Sequence, residues 1–391
     1  MLTDRQTDRQ TDRQTDRQTD RQTDRHTDRQ TDRESNFELL RIFAMLFIVM
    51  YHYAIHGGFQ FSNELTLNKL FLQMFGFGGK VGVNVFVIIS GYFLVYEGFK
   101  LKKLLKLMAQ MWFYSAGILL IVLAFDIGNP GFKNIIKSLL PLGMMNWFAY
   151  AYFVLYLIFT FENVLLKNLS HKKYLTMLAF GCMLWFVIPT FTKISMEFSN
   201  MVLFCYLYAL GGYIRLYQEK TVFPKALKVT FYTYIFYVLA SLMLDVLAVK
   251  YNYFVTRWSY FSGGRSIFPF VMAVGFFLYF KSKKIPYNKY INIAASTMFG
   301  VYLIHDNGLL AKFIWLKIFH NYAYYDSNFL VIHAVLTVLT VLIIGGIIDY
   351  LRLTFIEKPL FKYLNPKIDN LETKLRAKLD IILERIIRKT V

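Results

Sequence analysis

The chain alternates between long apolar runs and short polar connections for most of its 391 residues. Continuous apolar runs of about 20 residues fit α-helices that cross a bilayer, whereas β-barrel strands would show short segments of alternating polarity. The pattern therefore predicts an all-α integral membrane protein. Ten candidate membrane helices are expected near 37–56, 79–96, 107–126, 148–166, 174–192, 198–217, 229–249, 266–280, 291–311 and 329–350.

Basic residues in the connections predict the orientation of these helices. Counted with the adjoining helix ends, each even-numbered connection carries three or four Lys or Arg, and each odd-numbered one carries one to three. Short cytoplasmic connections are enriched in Lys and Arg. The even-numbered connections are therefore expected in the cytoplasm, which places both termini there as well.

Composition supports a protein of the lipid bilayer and argues against several other classes. Hydrophobic residues make up 56% of the chain, which is too apolar for an ordinary soluble domain. The net charge is +19, but the lysines cluster between apolar helices, so no nucleic-acid partner is expected. The two cysteines, Cys182 and Cys205, both lie in apolar segments, so neither a disulfide framework nor a metal site is expected.

The N-terminal segment is a repeat. Residues 3–34 form eight tetrapeptide units, six of which read TDRQ. The units contain no apolar residue, so residues 1–35 are expected to be a disordered region without a core. The DNA tetranucleotide ACAG, repeated, also encodes Thr-Asp-Arg-Gln. The repeat is therefore either a flexible tail or a slipping DNA tract that switches expression on and off.

The charged C-terminal segment is expected to be separate from the membrane domain. The membrane domain is expected over residues 36–364, and the tail over 365–391. Apolar residues between Ile368 and Ile386 recur at spacings of three and four, which predicts an amphipathic helix on the inner leaflet. A short coiled-coil contact is the alternative.

Two ionisable residues interrupt the first apolar segment. Arg41 and His52 are separated by a spacing that places them on one helix face, about 16 Å apart along the axis. Arginine is suited to holding phosphate, and histidine to transferring a proton near neutral pH. Ionisable groups in membrane helices usually face a bundle interior or a wet cavity. The alternatives are a snorkelling arginine at the inner surface and a histidine that makes polar contacts between helices.

Three stretches of the chain resemble one family of membrane enzymes. These stretches read ELLRIFAMLFIVMYHY, GKVGVNVFVIISGYFL (79–94) and STMFGVYLIHD (296–306), and together they resemble the acyltransferase-3 family over roughly residues 36–364. The family includes O-acetyltransferases that modify bacterial surface polysaccharides. The resemblance implies ten spans in the bacterial inner membrane. It also implies acyl transfer, most often of acetyl, from acyl-coenzyme A to a sugar hydroxyl.

The resemblance also implies roles for individual residues. Arg41 and His52 match the family motif and are expected to be catalytic, with Arg41 also holding the coenzyme; no permanently bound cofactor is expected. The family usually has arginines in the loop after the second helix. This chain has Lys102, Lys103 and Lys106 there, which keep the positive charge but lack the bidentate fork. Asn84 stands where many members have Asp, so it has no charge to contribute.

Candidate acceptor-binding residues are expected at the outer side. Arg265 and Ser266 begin the eighth helix and either contact the acceptor sugar or mark the helix end. Trp147 either lines a sugar site or is an interfacial aromatic. His305 either belongs to the site or makes a structural hydrogen bond.

The sequence thus predicts a membrane O-acyltransferase that uses acetyl-coenzyme A and acts on a surface polysaccharide or lipopolysaccharide. The alternative is a transporter or flippase of lipid-linked glycan, which would share the many spans and the basic inner loops. A flippase has no need of an arginine and a histidine on one helix face. Binding or hydrolysis of acyl-coenzyme A would separate the two interpretations.

Overall fold

The computed structural model describes residues 35–61, 64–140, 146–192, 200–251 and 259–390, and side chains as far as residue 374. Within these ranges every regular element is helical. The α-helices are α1 (Asn36–His56), α2 (Leu67–Phe75), α3 (Gly79–Leu94), α4 (Leu101–Ala124), α5 (Gly131–Leu139), α6 (Trp147–Asn168), α7 (His171–Cys182), α8 (Ile188–Thr192), α9 (Asn200–Tyr217), α10 (Ala226–Lys250), α11 (Ile267–Lys281), α12 (Lys289–His305), α13 (Leu330–Arg352) and α14 (Lys358–Thr390).

The helices confirm the predicted all-α membrane architecture. Among the described residues, seven helices or joined helices are long and apolar enough to cross a membrane, and α11 is a shorter apolar helix. Each of the ten predicted segments coincides with a helix. The number of spans and the cytoplasmic position of both termini stay predictions. The TDRQ repeat lies outside the described residues.

Some local boundaries differ from the predictions. The helices α2 and α5 lie within segments expected to be connections. The ninth segment was expected to continue to residue 311, but α12 ends at His305. The Asn307 side chain accepts a hydrogen bond from the Leu309 backbone N–H at 3.0 Å, and this local bond competes with a further helical turn. The expected domain boundary at residue 364 falls inside α14.

Side-chain caps fix the start of several helices. Thr66 accepts a hydrogen bond from the backbone N–H of Lys69 at the start of α2. Asn288 accepts two such bonds at the start of α12, and Ser266 accepts one from Phe268 at the start of α11. Each cap satisfies donors that the first helical turn leaves unpaired. Ser266, predicted to bind the acceptor, is thus also a helix cap.

Helix α1 occupies the middle of the bundle and packs against α2, α3, α11, α12 and α13. We call the end at which α1 begins the inner end, and the opposite end the outer end. Phe37, near the start of α1, packs 5.2 Å from Tyr92, near the end of α3, so these helices are antiparallel. His52 meets His305 near the ends of α1 and α12, which run parallel.

Small residues bring α3 and α9 into close contact. A Cβ atom at Gly91 would lie 2.0 Å from the Tyr208 carbonyl oxygen, and one at Gly211 would lie 2.2 Å from the Ile88 carbonyl oxygen. Only glycine permits this approach, which is a common way for membrane helices to pack. Gly91 and Gly211 are therefore packing residues.

Two buried ionic groups join helices that are distant in sequence. Lys69 of α2 pairs with Asp245 of α10 at 3.1 Å, and the Gln73 amide donates to the same carboxylate at 3.0 Å. At the inner end, Arg352 donates to Asp349 of the same helix α13 at 2.6 Å, and the Tyr114 hydroxyl of α4 donates to the same carboxylate at 2.7 Å. Buried charges persist only where partners compensate for lost hydration. These two groups therefore fix the positions of α2, α10 and α13.

Candidate active site

A stripe of residues on α1 borders an internal cavity of about 440 Å³. Glu38, Arg41, Met45 and Ile48 line it at spacings of three and four, the spacing of one helix face. His52 is the next position along this stripe. The structure therefore places Arg41 and His52 along one face, with the cavity running between them.

Polar groups gather at the inner end of the cavity. The Arg41 Nη1 atom donates to Glu38 Oε2 at 2.6 Å. Asn292 and Ser296 of α12 face the same space. Glu38 had not been identified in the sequence as a site residue, although its spacing from Arg41 is typical of ion pairs on one helix. A guanidinium has five N–H donors, so Arg41 has donors beyond the one that Glu38 engages.

Aromatic side chains close the outer end of the cavity. Tyr302 and Phe148 line it there, and their rings pack 5.4 Å apart. The Tyr302 ring centroid lies 6.4 Å from that of His52. Tyr302 therefore stands between the cavity and His52, which is itself only 8% exposed.

The proton positions on His52 follow from a chain of hydrogen bonds. His305 Nδ1 lies 2.6 Å from the Val301 carbonyl oxygen, which can only accept, so His305 Nδ1 carries a proton. In a neutral ring His305 Nε2 is then an acceptor, and it lies 2.9 Å from His52 Nδ1. His52 Nδ1 therefore carries a proton, which leaves His52 Nε2 with a free lone pair.

An acidic residue faces that nitrogen. Asp306 Oδ1 lies 3.7 Å from His52 Nε2 and 3.3 Å from His56 Nε2. The Asn146 side chain donates to the Asp306 carbonyl oxygen at 2.7 Å, which holds the end of α12 against the start of α6. If His52 Nε2 takes up a proton, the imidazolium is next to a carboxylate that stabilises it.

Trp147, a candidate acceptor-binding residue, lies at the outer end next to this group. The Lys80 Nζ atom sits 4.5 Å from the centre of the Trp147 ring, in a cation–π contact. A Cβ atom at Gly264 would lie 3.4 Å from the Lys80 side chain, so the loop carrying Arg265 approaches the same position. The structure therefore brings Trp147 and the Arg265 loop together around Lys80.

The lysines expected to hold the coenzyme lie outside the lining of the cavity. Lys103 pairs with Glu97 at 3.8 Å, and Lys106 with Glu357 at 3.6 Å. A hydrogen bond from Lys100 also lowers the pKa of Glu97. The neighbouring Leu107 does line the cavity, so Lys102, Lys103 and Lys106 are near its inner end.

Several residues of this region had not been predicted as site residues. Tyr302 and Lys80 gave no distinguishing pattern, because a tyrosine and a lysine near a helix end are common. Asp306 follows His305 at the end of the stretch STMFGVYLIHD, but the sequence does not show that it lies next to His52 and His56.

The Asp306 carboxylate, His52 and His56 are close enough to bind a metal ion together, since their ligand atoms lie within 4.8 Å of one another.

Comparisons with known proteins give one result. No curated protein and no solved structure matches the chain. The model of the acyltransferase-3 family, described as an acyltransferase domain, matches residues 34–349. This range contains α1 to α12 and nearly all of α13, and the match gives no support to a flippase. The chain therefore belongs to the acyltransferase-3 family of membrane acyltransferases.

Proposed function

We propose that this protein is an O-acetyltransferase of the bacterial inner membrane that transfers acetyl from acetyl-coenzyme A to a sugar hydroxyl of a surface polysaccharide or lipopolysaccharide. The observation that carries the proposal is the cavity that begins at Arg41 and ends at Tyr302, whose ring centroid lies 6.4 Å from that of His52. Such a cavity connects a phosphate-binding residue to a base.

The donor enters from the inner end in this proposal. Arg41 holds a phosphate of the coenzyme with donors that Glu38 does not use. Lys102, Lys103 and Lys106 add positive charge near the opening. The flexible arm of the coenzyme lies along α1, where the distance of about 16 Å from Arg41 to His52 matches its reach. The thioester then lies beside Tyr302.

The acceptor approaches from the outer end. Trp147 offers an apolar ring face of the kind that sugars stack on, and Arg265 and Ser266 border the same region. Lys80, held against Trp147, adds a positive charge there. Acidic sugars are therefore favoured over neutral ones as acceptors.

His52 acts as general base in the proposed reaction. His52 Nε2 takes the proton of the sugar hydroxyl as the new C–O bond forms to the acyl carbon. Asp306 stabilises the imidazolium. The C–S bond then breaks, and the imidazolium returns its proton to the leaving thiolate. His305 does not touch the substrates in this scheme; it keeps His52 in the correct tautomer.

A transfer assay with purified protein tests the function. Acetyl-coenzyme A and a fragment of the host's surface glycan are incubated with the protein, and the products are analysed by mass spectrometry. The expected product has gained one acetyl group, and glycans from cells without the gene should lack it. Transfer by the His52→Ala protein at the wild-type rate, or unchanged glycan masses in the deletion strain, would contradict the proposal. A covalently acetylated protein trapped without acceptor would instead assign His52 as acyl carrier.

We also propose that expression of the enzyme is phase-variable. The support is the coding property of the repeat in residues 3–34. Gain or loss of one ACAG unit preserves the repeated peptide but shifts the reading frame after it, because four bases are not a multiple of three. Everything from about Ser35 would then be lost, and the surface acylation with it.

A further inference from the structure

We propose that His52, His56 and Asp306 form a site for Zn²⁺, and that the bound ion inhibits acyl transfer by occupying the nitrogen that serves as base. The inhibition rests on the proposed function, whereas the binding does not. We call these three residues the outer triad.

The spacing of the ligand atoms fits zinc. Ligands about 2.0–2.1 Å from a tetrahedral Zn²⁺ lie about 3.4 Å from one another. Asp306 Oδ1 is 3.3 Å from His56 Nε2 and 3.7 Å from His52 Nε2, and all three ligand atoms lie within 4.8 Å of one another. Two histidines and one carboxylate suit zinc, whereas Mg²⁺ and Ca²⁺ prefer oxygen ligands.

The backbone already holds the ligands in place. His52 and His56 are one turn apart on α1, and this i, i+4 spacing is used by many zinc-binding helices. Asp306 directly follows the last residue of α12, where the Asn146 side chain bonds its carbonyl group. Only small side-chain movements are needed to bring three atoms to a common centre.

Within the outer triad, His52 also has the hydrogen bonds that support a metal-binding histidine. Such a histidine almost always donates its other ring N–H to a fixed acceptor, which selects the metal-binding nitrogen. His52 Nδ1 donates to His305 Nε2, and His305 Nδ1 donates to the Val301 carbonyl. His52 Nε2 therefore has a free lone pair on the side of Asp306. This nitrogen can bind a metal ion without first losing a proton.

The site is reachable and partly open. The His56 side chain is 36% exposed, whereas those of His52 and Asp306 are 10% and 14% exposed. An ion can enter past His56, and the fourth coordination position remains for water. The main opposing charge is Lys80, which interacts electrostatically with both Asp306 and His52. The single carboxylate of the outer triad, that of Asp306, must offset this positive charge when the ion binds.

Zinc binding is measured on the full-length protein in detergent after removal of metal with a chelator. Competition with a chromophoric zinc chelator should give one tight site per chain, with no competition from Mg²⁺ or Ca²⁺. His56→Gln and Asp306→Asn should each weaken binding at least tenfold, as is typical for loss of a support or ligand at a metal site. His171→Gln is the matched control, since His171 bonds Tyr213 elsewhere in the protein, and it should bind zinc as the wild type does.

Lys80→Gln gives a test of opposite sign. Removing the nearby positive charge should strengthen zinc binding severalfold. A merely damaged protein would not bind more tightly. Unchanged affinity in both His56→Gln and Asp306→Asn, or the absence of a stoichiometric site in the wild type, would overturn the zinc site.

The inhibition is tested with the transfer assay. Zinc should stop transfer by the wild type, and a chelator should restore it. The residual activity of His56→Gln should survive zinc concentrations that stop the wild type. Zinc-dependent stimulation, or equal inhibition of both proteins, would overturn the inhibitory role. Stoichiometric zinc binding without any acyl transfer would instead contradict the proposed function and leave the site established.

Discussion

Replacing His305 should slow the reaction without affecting the donor site. In the wild type, His305 Nε2 accepts the proton of His52 Nδ1 at 2.9 Å, which leaves His52 Nε2 free to act as base. In His305→Ala this acceptor is missing. The alternative tautomer, protonated on Nε2, can donate to Asp306 once the side chains move a few tenths of an ångström closer, since the Oδ1 atom lies 3.7 Å away. That tautomer has no lone pair at the reacting position.

The size of the effect follows from the unpaired donor. A buried N–H without an acceptor costs about 1–3 kcal/mol. If this amount separates the two tautomers, the reactive one is depleted about 5- to 150-fold, because about 1.4 kcal/mol corresponds to a factor of ten. The value of kcat should fall by this factor. The KM for acetyl-coenzyme A should not change, since His305 does not line the cavity.

His305→Gln provides the comparison. Its amide oxygen can accept from His52 Nδ1, so it should recover much of the lost kcat. The assay is transfer to a glycan fragment followed by mass spectrometry, at several concentrations of donor. Equal losses in His305→Ala and His305→Gln, or a raised KM with unchanged kcat, would refute the tautomer argument. His171→Ala, on an exposed face of α7, controls for general effects of removing a histidine.

Four further predictions concern the donor, the base, the topology and the repeat. His52→Ala should lower the rate of transfer about 100-fold or more, as for loss of a general base, while the protein still accumulates in the membrane. Normal glycan acylation in this variant would exclude His52 as the base. Arg41→Lys should raise the KM for acetyl-coenzyme A about tenfold, because a charge-assisted hydrogen bond contributes about 1.5–3 kcal/mol; an unchanged KM would make Arg41 only a topology determinant. A reporter fused after Lys103 should read cytoplasmic and one fused near Asn129 extracytoplasmic, and the reverse pattern would break the ten-span arrangement. In-frame deletion of residues 3–34 should leave transfer intact. Sibling colonies should differ in the number of tetranucleotide units in the gene, with surface acylation only in the in-frame ones. A tract of constant length would remove the support for switching.

The helices of the membrane domain were predictable because each buries a long apolar run, and the length of such a run sets the length of the helix. The shared face of Arg41 and His52 was predictable for a similar reason, since it follows from helical period alone. The short helix α2 was not, because it has only nine residues and lies in a connection. Its stability depends on a cap at Thr66 and on contacts with distant helices.

The outer part of the candidate site could be predicted only in fragments. His305 was recognised as a candidate, but its bond to His52 joins residues 253 positions apart in the sequence. No local pattern reports such a contact, because tertiary packing alone decides which helix ends meet. The bond between Arg41 and Glu38 is different. It spans three residues on one helix, so helical spacing would have been sufficient to predict it, although Glu38 was not identified from the sequence.

The buried ion pair between Lys69 and Asp245 has a consequence for the order in which the protein matures. Gln73, which bonds the same carboxylate, precedes Asp245 by 172 positions. At roughly 5–20 residues per second, a ribosome needs roughly 9–34 s to make the intervening chain. During that interval the Lys69 ammonium cannot have its final partner, and an unpaired charge is costly away from water. We therefore expect the segment of α2 to stay near the membrane surface until α10 is synthesised, so that this early segment reaches its final place later than its position in the chain suggests.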